Sequence, residues 1–188
     1  MKYPPIVKVN LQGKPLGPIT YRQGHPLKTE TKGPRHTTTN ILLFKDNSRK
    51  EVLISLRSNI FMGGRWDSSA GGHIHWDVLG KCQENDKDTA CREVNEELFS
   101  GKKLPSSLKL EKVGSFWKWT RPNDHEWVHL FAGVYKGPFF PNKKEVAKVR
   151  FIPVDLLLKN TQTYTGEFTR SVGVCIRKYL ELTKNGKR

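Results

Sequence analysis

The sequence predicts an α/β (α+β) fold in which a mixed β-sheet is sandwiched between helices. Three observations lead to this prediction. Residues 84–98 have the pattern of an amphipathic helix, and the β-rich runs 36–44 and 51–57 are joined by a turn. Residues 165–182 carry apolar side chains three and four positions apart, which indicates a second helix that closes the far side of the sheet.

Start and stop signals frame the first of these helices. Asn85 or Asp86 can cap its N-terminus, acidic residues occupy its first turn, and no proline interrupts it. Gly101 lies just beyond its expected end. The stretch is therefore predicted to be an uninterrupted helix.

One side of this helix carries three glutamates. At about 100° per residue, Glu93, Glu96 and Glu97 fall on one arc, and apolar residues such as Val94 and Leu98 fall on another. Like charges at this spacing cost a helix roughly 0.2–0.5 kcal/mol per pair, so a positive partner is expected against them. Mg²⁺ fits because hard cations prefer oxygen ligands. A solvated acidic face is the alternative interpretation.

Arg92 lies at the edge of these glutamates. Its guanidinium can hold a further carboxylate in a bidentate pair, for which Glu84 is the nearest candidate. Glu84, seven residues and the run from Arg92 to Glu97 resemble the second half of the Nudix box, E-x7-R-E-U-x-E-E, in which U is aliphatic. All five charged positions and the aliphatic position match.

A segment upstream of the box adds to the resemblance. The run from Trp66 to His73 resembles the W-x-x-x-A-G-G-H segment of the Nudix branch related to isopentenyl diphosphate isomerase. The resemblance implies a Nudix fold with an N-terminal β-arm. It also implies a hydrolase that acts on acid anhydrides and uses Mg²⁺ or Mn²⁺.

Two departures from the box stand out within residues 72–100. The box has five residues between its glycine and its first glutamate, whereas eleven follow Gly72 here, so residues 75–80 are interpreted as a six-residue insertion. Phe99 and Ser100 replace the glycine and aliphatic residue that usually close the box. The second departure concerns the exit from the helix and not its metal-binding face.

The resemblance assigns roles to the charged residues of the box. Glu93, Glu96 and Glu97 are expected to bind metal, with Arg92 and Glu84 fixing their orientation. A general base must lie within hydrogen-bond reach of the attacking water. Candidates for this base are Glu96 and Glu126, with Glu145 as an outside choice.

The expected substrate-binding residues lie outside the acidic helix. Arg57 ends the second β-rich run, where this family often holds substrate, although a solvated arginine is the alternative. The pair Gly71 and Gly72 allows the backbone to come close to an anionic group or to the acidic helix. Trp76 in the insertion is expected to stack on a base, with an ordinary surface aromatic as the alternative.

The resemblance also indicates a second metal site. In isopentenyl diphosphate isomerases, a metal is held by histidines at the first core strand and after the glycine pair, and by acids on the strand after the helix. Histidine and carboxylate together suit Mn²⁺, Zn²⁺ or Fe²⁺ more than Mg²⁺. Ordinary strand-end or loop roles are the alternative. The matching positions are His36, His73, Asp124 and Glu126, with His25 further upstream.

One position disfavours the isomerase reaction itself. That reaction uses a cysteine two residues before the histidine of the glycine pair, and Gly71 stands there. Glycine cannot carry a proton. The resemblance therefore favours phosphoanhydride hydrolysis.

The length predicts a single domain over residues 1–188. The resemblance implies that it is a Nudix domain, with a β-hairpin arm and loop in residues 1–34. A mean hydropathy of −0.62 fits a soluble protein. With no apolar run of about 18 residues and no signal-peptide core at the N-terminus, a cytoplasmic protein without membrane association is expected. The cysteines are odd in number and lack metal-type spacing, so buried free thiols in a reducing compartment are expected.

The chain is strongly basic. It has 33 Lys and Arg against 18 Asp and Glu, a formal net charge of +15. Such a charge attracts polyanions, so nucleotides or RNA are plausible partners. The basic residues are spread along the chain and form no nucleic-acid motif, so a general solubility role is an equal alternative.

Three functions therefore remain. The first is a Mg²⁺-dependent Nudix hydrolase that cleaves a nucleoside diphosphate linked to another moiety. The second is an isopentenyl-diphosphate-isomerase-like enzyme, and the third is a basic nucleotide- or RNA-binding protein with little turnover. The sequence leaves the oligomeric state open, although relatives that the chain resembles commonly form dimers through the N-terminal arm.

Overall fold

The computed structural model describes residues 3–26, 33–58, 63–121, 124–162 and 166–185. Within these residues, the chain forms eleven strands and four helices. The strands are β1 Ile6–Val9, β2 Pro15–Ile19, β3 His36–Phe44, β4 Glu51–Arg57, β5 Trp66–Asp67, β6 Ala70–His73, β7 Trp76–Asp77, β8 Cys82–Gln83, β9 Leu110–Arg121, β10 Asp124–Val134 and β11 Val146–Pro153. The helices are α1 Tyr21–Gly24, α2 Asp86–Phe99, α3 Val154–Gln162 and α4 Arg170–Asn185.

Strand β3 is the centre of the main sheet. Its nine residues are all buried, as expected for a strand with neighbours on both edges and both faces. It runs parallel to β10 and antiparallel to β1, β4 and β6. The further pairs β1–β2, β4–β5, β4–β11 and β9–β10 extend the sheet. The sheet is mixed, as predicted.

The two faces of this sheet carry separate apolar clusters, because successive side chains of a strand point to opposite faces. Leu42 and Phe44 of β3 pack with α3 and α4 through residues such as Leu157 and Ile176. Leu43 packs instead with residues of α2. We refer to these as the α4 face and the α2 face. The predicted sandwich of a sheet between helices is confirmed.

Helix α2 begins and ends close to the predicted positions. The side-chain oxygen of Asn85 accepts hydrogen bonds from the backbone N–H groups of Lys87 and Asp88 at 2.9 and 3.3 Å, so Asn85 is the N-cap. The helix ends at Phe99, and Ser100 adopts a left-handed conformation with a φ of 50°.

A loop after β10 satisfies the C-terminal end of α2. The Phe140 backbone N–H donates to the carbonyl of Leu98 at 2.9 Å, and the Asn142 N–H donates to the carbonyl of Glu97 at 3.0 Å. The last carbonyls of a helix have no partner within the helix, so these two bonds stabilise its end. The helix is thereby closed without the glycine that usually ends the box.

Some local elements differ from the prediction. Residues 21–34 were expected to be loop, but α1 forms one helical turn closed by a capping box between Thr20 and Gln23. The T-x-x-Q spacing that signals such a cap is present in the sequence. Residues 27–32 of that loop, and the expected start of the last helix at Thr165, lie outside the described residues.

The insertion does not form a separate loop. Strands β7 and β8 pair as a short antiparallel hairpin that includes most of residues 75–80. The backbone N–H of Trp76 donates to the carbonyl of Pro5 at 2.9 Å, which attaches the hairpin to the N-terminal arm. The predicted arm hairpin, β1 with β2, is present.

The sequence also led to expectations about membrane spans and about the three cysteines. Among the described residues, none of the helices is long and apolar enough to cross a membrane. Cys175 is buried, Cys91 is partly buried and Cys82 is exposed on the β7–β8 hairpin. All three are free thiols, but the expectation that they are buried is wrong for Cys82.

The N-cap of α2 can be tested by substitution. Asn85→Ala removes the oxygen that accepts two backbone hydrogen bonds, so the free energy of unfolding is expected to fall by about 0.5–2 kcal/mol. Urea denaturation of the metal-free protein measures this change. Asn85→Asp keeps an acceptor and is the control. If the two variants lost the same free energy of unfolding, the accepting oxygen at position 85 would not be the source of the stabilisation.

Candidate active site

Glu93 is the box glutamate that lies most deeply between α2 and the sheet. Its relative exposure is 7%. Its carboxylate lies so close to Gly72 of β6 that a Cβ atom at position 72 would overlap it. Burial raises the pKa of Glu93 to about 7 against the lowering effect of Arg92, and Glu96 and Glu145 act in the same direction as burial.

Arg92 joins the elements around the acidic side of α2. Its Nε and Nη2 donate to the two carboxylate oxygens of Glu84 at 3.0 and 3.1 Å, which is the predicted bidentate pair. Its Nη1 donates to Glu93 Oε1 at 2.8 Å and to Glu96 Oε2 at 3.1 Å. Nη2 also donates to the backbone carbonyl of His73 at 3.1 Å. One guanidinium thus connects α2, its N-terminal flank and β6.

Glu97 and Glu145 extend the acidic group. Burial raises the pKa of Glu97 well above its ordinary value, and Glu93 and Glu145 add to the rise while Arg57 opposes it. Glu145 lies in the loop before β11, where Asn142 Nδ2 donates to its Oε1 at 2.9 Å. Carboxylates that raise one another's pKa lack sufficient positive charge nearby, and a divalent cation relieves this repulsion.

Two predicted residues lie at the margin of this group. The side chain of Glu96 is 48% exposed, so it reaches from the helix toward solvent. Arg57 Nη1 donates to Asp67 Oδ2 at 3.1 Å, and Asp67 Oδ1 accepts from Thr169 Oγ1 at 2.7 Å. The guanidinium of Arg57 is therefore partly engaged by the protein itself.

A second group of potential metal ligands lies on the α4 face. Ligand atoms of His25, His36 and His73 lie within 4.8 Å of one another, and so do those of His36, Asp124 and Glu126. Pairing of the parallel strands β3 and β10 places Glu126 opposite His36. The structure thus gathers all five residues that the resemblance indicated. We call them the histidine cluster.

The chemistry of the histidine cluster fits a metal ion. His25 Nε2 lies 2.8 Å from His73 Nε2, and His25 Nδ1 lies 3.5 Å from Asp124 Oδ1. His36 Nε2 is buried and has no hydrogen-bond partner among the described residues. Burial lowers the pKa of both His36 and His73, so each ring is neutral at pH 7 and has a lone pair for a metal.

Lys118 is a functional candidate that the sequence did not single out. Its Nζ lies 2.5 Å from Glu126 Oε2, and it donates to Ser171 Oγ at 2.9 Å. Burial acts to lower the pKa of Lys118, but the adjacent Glu126 raises it above its ordinary value. A lysine in a β-strand is usually exposed, so only the inward position of Phe116, two residues before it, hinted at its burial.

This pairing bears on Glu126 as a candidate general base. Glu126 precedes Val128 by two positions in β10, and Val128 packs on the α4 face. Glu93 lies on the opposite face of the sheet, where its carboxylate packs against Gly72 of β6. The placement therefore puts Glu126 with the histidine cluster and not with the box glutamates.

Strand β6 contributes to both sites. Gly72 contacts Glu93 on the α2 face, whereas the next residue, His73, joins the cluster on the α4 face. A Cβ atom on Gly71 would lie 2.8 Å from the carbonyl oxygen of Thr39. The glycine pair is therefore required by close backbone packing as well as by the nearby carboxylate.

Two aromatic side chains lie where the arm meets the rest of the chain. The Trp76 side chain packs against Val7 and Val9 of the arm and against Ile74, which follows β6. This contact does not favour its predicted role in stacking on a base. Tyr21, which no sequence pattern singled out, lies over the histidine cluster, with its ring centroid 5.2 Å from that of His73.

Comparison with known proteins identifies the family. The family model of the NUDIX domain matches residues 34–172. The chain belongs to the Nudix family. Membership of this family supports the predicted enzyme class, a hydrolase that acts on phosphoanhydride bonds. Comparison of the sequence with curated proteins gives no significant match.

Solved structures show the same Nudix fold. The protein DR0079 from Deinococcus radiodurans superposes with a TM-score of 0.71 at 15% identity, covering 93% of this chain and 98% of that one. The NUDIX domain of Shewanella oneidensis NrtR, complexed with ADP ribose, gives 0.55 at 16% identity, covering 90% and 100%. The C. elegans Ap4A hydrolase gives 0.54 at 14% identity, covering 79% and 98%.

The raised pKa of Glu93 predicts a pH dependence of the metal-free Nudix protein. Folded Glu93 keeps its proton up to about pH 7, whereas an unfolded glutamate loses it near 4.3. Its contribution to stability is therefore present below about pH 4 and is lost as pH rises toward 7. Glu93→Gln is expected to stabilise the protein by about 2–3 kcal/mol more at pH 8 than at pH 5, measured by urea denaturation in a metal chelator.

The exposed neighbour provides the control. Glu96→Gln is expected to change the free energy of unfolding by less than about 0.5 kcal/mol at either pH. A Glu93→Gln variant with the same stability difference at pH 5 and pH 8 would contradict the buried, protonated state of Glu93.

Proposed function

We propose that this chain is a divalent-metal-dependent hydrolase that cleaves the phosphoanhydride of a nucleoside diphosphate linked to another group. The observation that carries the proposal is the set of carboxylates around α2. Glu93 is buried against Gly72 of β6, and Glu97 is partly buried beside it on α2. Burial and Glu145 raise the pKa of both carboxyl groups. Such a set is costly in the absence of a cation, because burial and mutual repulsion both oppose ionisation.

Glu93 and Glu97 would hold the metal, with Glu96 at the solvent side. Mg²⁺ or Mn²⁺ bound there supplies positive charge to a diphosphate and lowers the pKa of a water. Arg92 keeps the Glu93 carboxylate directed toward Gly72 through its bond to Oε1. Glu84, held by the same guanidinium, keeps Arg92 itself in place.

Glu145 is the candidate that geometry favours as the general base. It lies close enough to Glu93 and Glu97 to raise the pKa of both. Asn142 engages its Oε1, which directs the group while Oε2 remains available to accept a proton from water. Glu126 is paired with Lys118 on the other face, and Glu96 is bound to Arg92.

The family and two proteins of the same fold support this substrate class. The NrtR domain binds ADP ribose, and the C. elegans protein is an Ap4A hydrolase. Both molecules contain nucleosides linked through phosphoanhydrides. Hydrolysis of this linkage is favoured over isomerisation, because the isomerase reaction uses a cysteine at the position of Gly71. A side chain at position 71 would press on the carbonyl oxygen of Thr39.

A substrate panel tests the proposal. The protein is incubated with Mg²⁺ or Mn²⁺ and with ADP ribose, Ap4A, nucleotide sugars, nucleoside triphosphates and isopentenyl diphosphate. Release of a mononucleotide from at least one nucleoside substrate is expected, and Glu97→Gln should lower kcat by roughly two or more orders of magnitude because it removes a metal ligand.

Two further variants separate the roles. Glu145→Gln is expected to lower kcat while leaving Mn²⁺ affinity nearly unchanged, and Glu126→Gln should affect kcat less. No nucleoside product from any substrate, or conversion of isopentenyl diphosphate to its isomer, would refute the hydrolase proposal.

We also propose that the histidine cluster holds a second metal ion, as in the isomerase-related branch that the sequence resembles. Three imidazoles and two carboxylates suit Mn²⁺, Zn²⁺ or Fe²⁺. The support for this proposal is the buried Nε2 of His36, which lacks a hydrogen-bond partner among the described residues.

Metal stoichiometry distinguishes the two sites. Equilibrium dialysis with Zn²⁺, followed by elemental analysis, is expected to show one tightly bound ion that Glu93→Gln retains and that His36→Ala loses. His129→Ala is the matched control, since His129 is a largely buried histidine that contacts Asp86 and Ser115 outside the cluster. Full Zn²⁺ binding by His36→Ala would contradict the second site.

A further inference from the structure

A groove lies beside the histidine cluster and is used by neither proposed metal site. Its volume is about 610 Å³, which is within the usual range for ligand pockets of about 300–1,000 Å³. The end of β1, the following turn and residues 33–35 form one side, and His125 of β10 lies on the other. The groove therefore runs along the ends of β1, β3 and β10.

A row of aromatic rings continues from this groove along the β9–β10 hairpin. Trp127 and Trp117 are paired across the hairpin, with ring centroids 5.0 Å apart, and Trp119 follows at 6.3 Å from Trp117. Trp119 pairs across the hairpin with His125, and their centroids are 6.0 Å apart. These four side chains share one face because they alternate along paired strands.

The inner and outer parts of this row differ in exposure. Trp117 donates from Nε1 to the carbonyl of Leu11 at 3.0 Å, and Trp127 packs closely on Gly13, so both rings hold the arm in place. Trp119 lies beyond the arm and is 59% exposed. Most of the Trp119 ring therefore faces solvent and is available to contact another molecule.

The charges around the groove are positive. Among the described residues that line it, Lys8 and Arg35 are basic and none is acidic. The Arg35 guanidinium lies over the Trp117 ring, 5.9 Å from its centroid. The whole chain carries a net charge of +15, so long-range attraction also favours an anionic partner.

We propose that this groove binds single-stranded RNA. Bases would stack on Trp119 and His125, and phosphates would pair with Lys8 and Arg35. Exposed aromatic rings beside basic side chains are the combination with which proteins bind single strands, because every base offers a face for stacking and every linkage offers a charge. A duplex presents its bases already stacked and so cannot use the rings.

The position of the groove relates this binding to the proposed hydrolase. Arg35 immediately precedes His36, and His125 lies between Asp124 and Glu126. An RNA strand in the groove would thus contact residues that are next in the sequence to members of the histidine cluster. The binding itself does not require hydrolysis, so the two proposals can fail separately.

Fluorescence anisotropy tests the proposal with the full chain and no added metal. The probe is fluorescein-labelled oligouridylate of about ten nucleotides, compared with an RNA duplex of the same length. Trp119→Ala is expected to weaken binding of the single strand by roughly tenfold. Arg35→Gln should reduce the slope of log Kd against log salt by about 0.7, the value for one phosphate contact on a single strand.

Matched variants on other surfaces provide the controls. Phe140→Ala removes an exposed aromatic residue, and Lys159→Gln removes an exposed charge from α3; neither should reproduce the loss. Trp119→Ala should leave hydrolysis of a small nucleoside substrate unchanged, which separates this result from the proposed function. Equal affinity of Trp119→Ala and the unmodified protein for oligouridylate, or equal affinity for strand and duplex, would overturn the proposal.

Discussion

The hydrogen bonds of Arg92 are the interaction on which the acidic site depends. One guanidinium binds both oxygens of Glu84, one oxygen each of Glu93 and Glu96, and the carbonyl of His73. Arginine suits this role because its donors are fixed in a plane and it remains charged. Without it, the buried Glu93 carboxylate would lose the positive charge that opposes its raised pKa, and α2 would lose a polar attachment to β6.

The net charge of the chain contrasts with the charge of the acidic group around Arg92. The chain as a whole is strongly basic, yet many of its acids are gathered in the two sites. An anionic substrate is attracted by the overall field, but it meets carboxylates at the centre. Cations held at the two proposed metal sites would balance these carboxylates, which links the bulk charge to the proposed metal dependence.

Much of the fold was predictable because the strongest elements are those with regular patterns. The acidic helix has an unbroken amphipathic pattern and a cap at Asn85, and β3 and β4 are β-rich runs around a turn. Short elements were missed for a physical reason: α1 consists of one turn, stabilised by a local cap and not by an apolar stripe. The β7–β8 hairpin is likewise too short to show a period.

The site was predictable where residues are close in the sequence and less so where the sheet brings them together. The Glu84–Arg92 pair follows from spacing along one helix and its flank. The burial of Lys118 beside Glu126 depends on which side of β9 faces α4, and spacing alone does not report it. The packing of Trp76 on Val7 and Val9 was likewise hidden from the sequence, because the arm lies far from residue 76 along the chain.

The length of strand β6 is tightly restricted, because its neighbouring residues serve opposite faces of the sheet. Gly72 and His73 are neighbours that point to opposite faces, so a one-residue insertion or deletion would exchange their directions. The imidazole would then enter the space of a carboxylate, and the glycine would leave a gap among the histidines. A change of one residue in the length of β6 would therefore disrupt the acidic group on α2 and the histidine cluster together.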